Sequence, residues 1–263
     1  MDLRADRLEA IVLRAVPYGE ADLVVHLLAR GRGRVGAFAR GARKSRRFAG
    51  SLEPYSVVEV LVAERPGADL VTLREVSLRE GFSGLREDLH RLAHAGYATE
   101  LAHDLSRAGQ AADPIYEALR LFLSLLARGP ATSARLRALE LAVLDGSGLL
   151  PELTACARCS APVAAGRAPF DPASGGLLCA GCALPGAALL SAGARAALQQ
   201  LSMRGLEGAE APHSADGSGR PADARGFEEA AAQAGPAMLR FLVFHLGRAP
   251  RSAEFLAQVG APR

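Results

Sequence analysis

RGRGRVGAFARGARKSRR, residues 30–47, holds eight basic side chains and no acid. Its first third, Gly31-Arg32-Gly33, reads as a tight turn. Arg34-Val35-Gly36-Ala37-Phe38-Ala39 follows with the two-residue alternation of a strand, built on small residues. The exit from that strand carries Arg40, Arg43, Lys44, Arg46 and Arg47, which join Arg30, Arg32 and Arg34. The whole chain is only +3 at neutral pH, with 31 basic residues and 28 acids. Removing these eight leaves 23 basic residues against 28 acids, a remainder of about −5. Positive charge is concentrated in one place, and a nucleic-acid backbone is the simplest partner for such a patch. A charge run alone is equally compatible with a solvated loop, so the surrounding pattern has to decide.

Working outward, residues 7–16 and 21–29 are apolar, β-branched runs separated by Tyr18-Gly19-Glu20, the pattern of a hairpin. Two further strands are expected over 55–63 and 70–78, joined by Arg65-Pro66-Gly67-Ala68, with a short helix over 48–52 before them. Five short strands with a break after the third fit a small OB-type barrel. OB folds take oligonucleotides on the face of strands two and three, which is where the basic stretch would lie. Of the nearby aromatics Tyr18, Phe38, Phe48 and Tyr55, Phe48 follows Arg46-Arg47 directly and is expected to be the most exposed. It is taken with the eight cations as a candidate DNA contact, although barrel-core packing is the commoner fate of such a ring.

From Gly81 the period changes to three and four. Leu85, Leu89, Leu92, Gly96 or Tyr97, Leu101 and Leu105 mark one helix face. Asp113-Pro114 opens a second helix with Ile115, Leu119, Phe122, Leu123 and Leu126 inward, stopped by Gly129-Pro130. A third runs over 133–144, and the three are expected to pack as a bundle. Helices are also expected over 191–203 and 227–246, the latter broken near Gly235-Pro236, with a turn or two over 252–259. Gly205–Gly226, rich in Gly, Ala, Pro, Ser and Asp, reads as a flexible loop. The fold class is α+β: a five-stranded OB-type barrel over 1–80, then a helical domain over 81–263 with a cysteine module inserted at 151–185.

That module carries Cys156-x2-Cys159 and Cys179-x2-Cys182, nineteen residues apart. Each pair can offer two thiolates, and two pairs complete a tetrahedral sulfur site of the structural zinc kind, closed to water. Gly175-Gly176 and Gly181 are placed to supply its turns. MDLRADRLEA carries acids and no apolar segment, unlike a signal peptide. No run reaches the roughly 18–20 apolar residues a membrane span needs. A cytoplasmic protein is expected.

Enzymatic motifs are missing from the sequence. Gly31-Arg32-Gly33-Arg34-Val35-Gly36 matches G-x-G-x-x-G literally, but a strand follows it where a dinucleotide fingerprint needs a helix. The glycines are better read as turn residues that let backbone approach a phosphate chain. His90 and His94 stand four apart without an HExxH pattern, and read as structural. The acid pairs Glu87-Asp88 and Glu228-Glu229 read as solvated helix surface. No GxSxG or Walker A pattern is present.

The order of these parts resembles the RecO family of bacterial recombination mediators. The likeness is carried by AIVLRAVPYGEADLVVHLLARGRGRV, by AFARGARKSRRFAGSLEPYSVVEV, by YATELAHDL, by LLPELTACARCSAPV with GGLLCAGC, and by FLVFHLGRAPRS near the end. It spans most of the chain apart from Gly205–Gly226. The resemblance implies a non-enzymatic, nucleoid-associated protein of DNA repair. Such a protein binds single- and double-stranded DNA, anneals strands, associates with RecR and single-stranded DNA-binding protein, and helps load RecA. Zinc is a structural option in that family. Lys44 is the only lysine here, so the family's lysine contacts would have to be arginines. Two other classes share parts of the pattern: an OB-plus-zinc RNA-binding protein of translation or ribosome assembly, and a zinc-dependent nuclease, which four thiolate ligands disfavour.

Overall fold

The computed structural model describes residues 5–45, 48, 50–64, 67–209 and 224–259, which fall into two units, Met1–Arg128 and Gly129–Arg263. The first unit is built on five strands: β1 (Ala5–Tyr18), β2 (Asp22–Ala29), β3 (Gly33–Ala39), β4 (Val57–Ala63) and β5 (Val71–Glu80). They close into a barrel in the order β1-β2-β3-β5-β4. β1 is long enough to pair with β2 along its second half and β4 along its first. Closure comes from a short parallel pairing of β3 with β5, Ala37 to Val71 and Phe38 to Thr72. This is the OB-like barrel expected from the sequence, with strand ends displaced by at most two residues.

β3 shows why the sequence folds this way. Gly33, Val35, Ala37 and Ala39 are buried, while Arg34, Gly36 and Phe38 point to the outer face. With Val25 and Leu27 of β2, Val58, Val60 and Val62 of β4, and Leu73 of β5, the inward set fills the barrel. Small residues on β3 suit the narrow interior of a five-stranded barrel. Each buried Val or Leu contributes about 1.5–3 kcal/mol relative to exposure.

Two helices complete this unit: α1 (Leu89–Leu105) and α2 (Asp113–Arg128). α2 buries Ile115, Leu119, Phe122, Leu123 and Leu126 as its spacing requires, and Tyr116 as well. The Tyr116 hydroxyl donates to Glu9 of β1 at 2.9 Å, and the Asp113 carboxylate accepts from the Gly31 amide at 2.5 Å, tying α2 to the barrel. α1 departs from expectation. Its buried face is alanine-rich, with Ala93, Ala95, Ala98 and Ala102 beside Tyr97 and Leu101, and Leu89 is 57 % exposed. Alanine lets backbones approach closely, so the leucine stripe understates the buried face.

In the second unit α3 (Ser133–Gly146), α4 (Ala192–Arg204) and α5 (Ala224–Leu246) pack on one another, followed by α6 (Arg251–Val259). The bundle expected of the first three helices is therefore replaced by two separate packings: α1 with α2, and α3 with α4 and α5. A small sheet, order β7-β6-β8, comprises β6 (Ala168–Asp171), β7 (Gly176–Leu177) and β8 (Ala188–Leu190). α5 runs through Pro236 as one helix rather than breaking there. Residues 210–223, most of the expected loop, lie outside the described residues.

Both acid pairs read as solvated surface turn out to hold a helix cap. Asp88 accepts from the amides of His90 at 2.7 Å and Arg91 at 3.0 Å at the start of α1. Those amide bonds, Arg91's above all, keep its carboxyl below the usual range. Glu228 accepts from Ser133 and, at 3.0 Å, Ala134 at the start of α3. In each case unpaired N–H groups of a helix's first turn find a carboxylate.

Candidate nucleic-acid interface and metal centre

The basic stretch divides at Ala39. Before it, the cations are engaged inside the first unit. Arg30 pairs with Glu117 at 2.9 Å and lies 3.8 Å from Glu9. Arg32 pairs with Glu64 and, at 3.5 Å, Asp6. Arg34 donates to the His103 carbonyl at 3.1 Å, near the C-terminal end of α1, where cations are favoured. These three fasten strands to one another and to the helices. Gly33 belongs to the same joint. Its φ is +73°, and a Cβ there would stand 1.9 Å from the Gln110 carbonyl oxygen and 2.8 Å from that of Arg107. The glycine admits the backbone that follows α1, not a phosphate chain.

After Ala39 the picture reverses. Arg40, Arg43 and Lys44 are exposed at the end of β3. Arg43 reaches the Gly19 and Glu20 carbonyls at 3.3 Å each, pinning the β3 exit to the β1–β2 turn. Lys44 lies 4.0 Å from Glu20, which is itself almost wholly exposed; such a contact is worth little in water. Arg40 has no hydrogen-bond or ion-pair partner among the described residues. Arg46 and Arg47 fall outside them.

Beside these cations the outer face of β1, β2 and β3 is apolar. Val16 stands opposite Val24, and Val24 opposite Phe38. Tyr18, 61 % exposed, meets Phe38 edge-on with ring centroids 5.8 Å apart and planes at 85°. Two rings on an open sheet face bordered by cations form a platform on which bases can stack while their phosphates are neutralised.

Phe48 is not part of that platform. It is buried, 7 % exposed, and packs in the barrel core with Ala42 and Leu52. The expectation of an exposed ring is corrected: the segment leaving β3 closes the barrel with its first large apolar side chain. Of the described residues of 48–52, where a short helix was expected, Phe48 is in 3-10 conformation and 50–52 form turns. Tyr55 is half-buried, and burial raises its phenol above the usual range. Two polar residues of the platform face escaped the sequence reading, Arg14 and His26, which stand opposite each other on β1 and β2. The available signal was His26 itself, the one polar side chain inside the apolar run LVVHLLA.

In the second unit the four cysteines come together, with all four Sγ atoms within 4.8 Å of one another. Cys159 and Cys179 Sγ are 3.7 Å apart. Four sulfurs at about 2.3 Å from one zinc ion stand about 3.8 Å from each other, so the spacing fits a tetrahedral site. The loops are shaped for it. Ser160 N donates to the Cys156 carbonyl at 2.8 Å, and Cys182 N to that of Cys179 at 3.1 Å, closing each Cys-x2-Cys turn. Gly176, with φ +149°, leaves room for the Glu152 backbone, whose carbonyl oxygen would lie 2.3 Å from a Cβ. Gly181 sits in the short 3-10 turn Ala180–Cys182 and has no positive φ.

The thiols are electrostatically unequal. Backbone N–H groups, that of Cys179 foremost, bring Cys156 down to about 6, while neighbouring sulfurs, Cys159 first, push Cys182 up to about 12. Four thiolates packed this closely repel one another unless a cation lies between them.

Comparison with known proteins places this architecture. The family model described as recombination protein O N terminal matches residues 2–82, and that described as recombination protein O C terminal matches 86–217. The chain belongs to the RecO family. A protein of Anaeromyxobacter sp. (strain K) named DNA repair protein RecO is 47 % identical over 257 residues, covering 97 % of this chain and 96 % of its own. RecO proteins of the same name from Myxococcus xanthus (38 % identity, 96 % of this chain and 97 % of the relative) and Geobacter sulfurreducens (34 %, 96 % and 98 %) are similar along the same length. Among the described residues no helix is long and apolar enough to cross a membrane.

Proposed function

We propose that this RecO-family chain is a DNA-binding recombination mediator of DNA repair. It binds single- and double-stranded DNA on the outer face of β1–β3, promotes annealing of complementary strands, and works with RecR and single-stranded DNA-binding protein to assist RecA loading. The observation that carries this reading is the Tyr18–Phe38 pair on the outer sheet face, Tyr18 exposed and Phe38 half-buried, bordered by Arg40, Arg43 and Lys44. Stacking and phosphate contact hold any strand without reading its sequence, as a mediator must. Annealing asks for charge neutralisation of two strands, not for bond chemistry.

The four cysteines would hold one zinc ion, which supplies folding energy to residues 151–190 and leaves no coordination position for water. In the second unit Phe241 is core, 1 % exposed, but Phe244 is 54 % exposed and Phe255 of α6 is exposed too, with Arg248 and Arg251 between them in sequence. That apolar and basic surface suits a short acidic, hydrophobic peptide such as the tail of single-stranded DNA-binding protein.

The test is binding of the full chain to matched single-stranded DNA, duplex DNA and RNA across a range of salt. Replacing Arg40, Arg43 and Lys44 with Ala should lower the salt slope on single strands by about 2, at about 0.7 per phosphate contact. Unchanged affinity and slope would reduce the cations to a solvated loop. A preference for RNA over both DNAs would move the chain to the RNA-binding class.

A further inference from the structure

One step along the strands from Val16, Val24 and Phe38, roughly 7 Å away, the outward row reads Arg14, His26 and Gly36. Arg14 Nη2 lies 3.1 Å from His26 Nε2. A guanidinium has no acceptor, so Arg14 donates and Nε2 accepts. His26 is therefore held neutral, with its proton on Nδ1. Its ring stands edge-on to that of His103 on α1, centroids 5.5 Å apart. Arg34 Nη1 sits 3.3 Å from both nitrogens of the His103 ring, and His103 Nδ1 lies 3.1 Å from Asp104.

The charged and titratable groups gathered around His26 are thus Arg14 from β1, Arg34 from β3 and His103 from α1, with Asp104 beyond His103. Two guanidiniums and two imidazoles share one carboxylate. Burial, then Arg14, His103 and Arg34, hold the His26 imidazole below its ordinary range. Donors in the cluster outnumber acceptors, and its carboxylate, Asp104, lies on the far side of His103 from His26.

We propose that Arg14 and His26, held in place beside Arg34 and His103, form a phosphate-binding station next to the aromatic platform, and that its occupation by a phosphodiester is coupled to the uptake of one proton by His26. The balance is simple. A phosphodiester oxygen only accepts. In the free protein Arg14 donates to Nε2, which therefore carries no hydrogen. When a phosphate arrives, Arg14 turns to it, Nε2 takes a proton from solvent, and the imidazolium supplies a second charged donor. The neighbours that disfavour a charged His26 in the free protein are offset by the bound anion.

This rests on the reading that nucleic acid crosses the β1–β3 face, and the experiment separates the two. The full chain is titrated with fluorescent oligothymidylate at fixed ionic strength from about pH 5.5 to about pH 8.5, the range in which imidazole charges. The anion raises the bound-state pKa above that of the free protein. Affinity therefore increases as pH falls through the bound pKa, by up to about tenfold per pH unit for one linked proton, and levels off below the free pKa. His26→Gln should lose this rise in affinity with falling pH. Arg14→Gln should lower the salt slope by about 0.7. Calorimetry in two buffers of different ionisation heat should register uptake of about one proton by the wild type and none by His26→Gln. A pH dependence unchanged in His26→Gln, or abolished by His103→Gln alone, would overturn the assignment while leaving DNA binding intact. Absence of binding at every pH would overturn the DNA reading and this station with it.

Discussion

Phe38 offers the sharpest test of the platform because its ring can be removed without touching the barrel interior. It stands on the outer face of β3, while its neighbours Ala37 and Ala39 face the core. A base stacked on an aromatic side chain is worth about 1–3 kcal/mol, so Phe38→Ala should weaken single-strand binding about 5- to 150-fold. Stacking neutralises no phosphate, so the slope of log affinity against log salt should stay at the wild-type value. That separates Phe38 from the cations, whose loss lowers affinity and slope together. Since Tyr18 meets Phe38 edge-on at 5.8 Å, the double variant with Tyr18→Ala should fall short of the sum of the single losses: the two rings brace each other. The assay is fluorescence anisotropy of a labelled oligonucleotide at four or so salt concentrations, with thermal unfolding as the control for fold. A Phe38→Ala protein that binds like the wild type, or one whose salt slope drops, would refute the platform.

Protein purified without chelator should contain about one zinc ion per chain, and Cys179→Ser should lose it and become protease-sensitive around residues 151–190; elemental analysis without stoichiometric metal would contradict this. Gly33→Ala should destabilise the first unit by at least about 2 kcal/mol, from the left-handed backbone plus displacement of the segment after α1. A melting temperature equal to the wild type's would count against that joint. Phe244→Ala should weaken a peptide copying the acidic tail of single-stranded DNA-binding protein, in a titration of the full chain, and leave DNA affinity unchanged; equal peptide affinity would remove the docking surface.

The barrel was legible because strand periodicity and burial agree there. β3 alternates without a lapse from Gly33 to Ala39, and its neighbours are Val-, Leu- and Ala-rich runs broken by glycine turns. The metal centre was legible for another reason: two Cys-x2-Cys pairs define a ligand set before any fold is known. What failed depends on distant residues. Nothing near Glu228 in sequence says that it caps α3, nor near Arg34 that it will meet a carbonyl of α1. Phe48 was misread because charge in the flanking sequence suggested exposure, when a ring entering a barrel after a basic turn is equally well a plug. The partition of helices between two units was hidden as well, since amphipathic faces reveal that a helix packs and not what it packs against.

The division of the basic stretch at Ala39 separates arginines used by the fold from cations the proposed interface can use. Arg30, Arg32 and Arg34 each meet an acid or a carbonyl from elsewhere in the first unit. Ion pairs at such partly exposed positions contribute modestly to stability; their stronger effect is to fix register, holding β3 and α1 in place so that the outer face is presented open. Arg40, Arg43 and Lys44 lie past the last strand residue, where the chain turns away from the sheet and few acids can reach them. Concentrated charge in sequence is therefore not the same as concentrated charge available to a polyanion. Of the six described cations of this stretch three are consumed by the first unit, and the other three border the Tyr18 and Phe38 rings. If the cations before Ala39 were phosphate contacts instead, replacing Arg32 with Gln would lower the salt slope as strongly as replacing Arg40. The proposed interface predicts the opposite: Arg32→Gln should cost stability with the slope intact, and Arg40→Gln should lower the slope with stability intact.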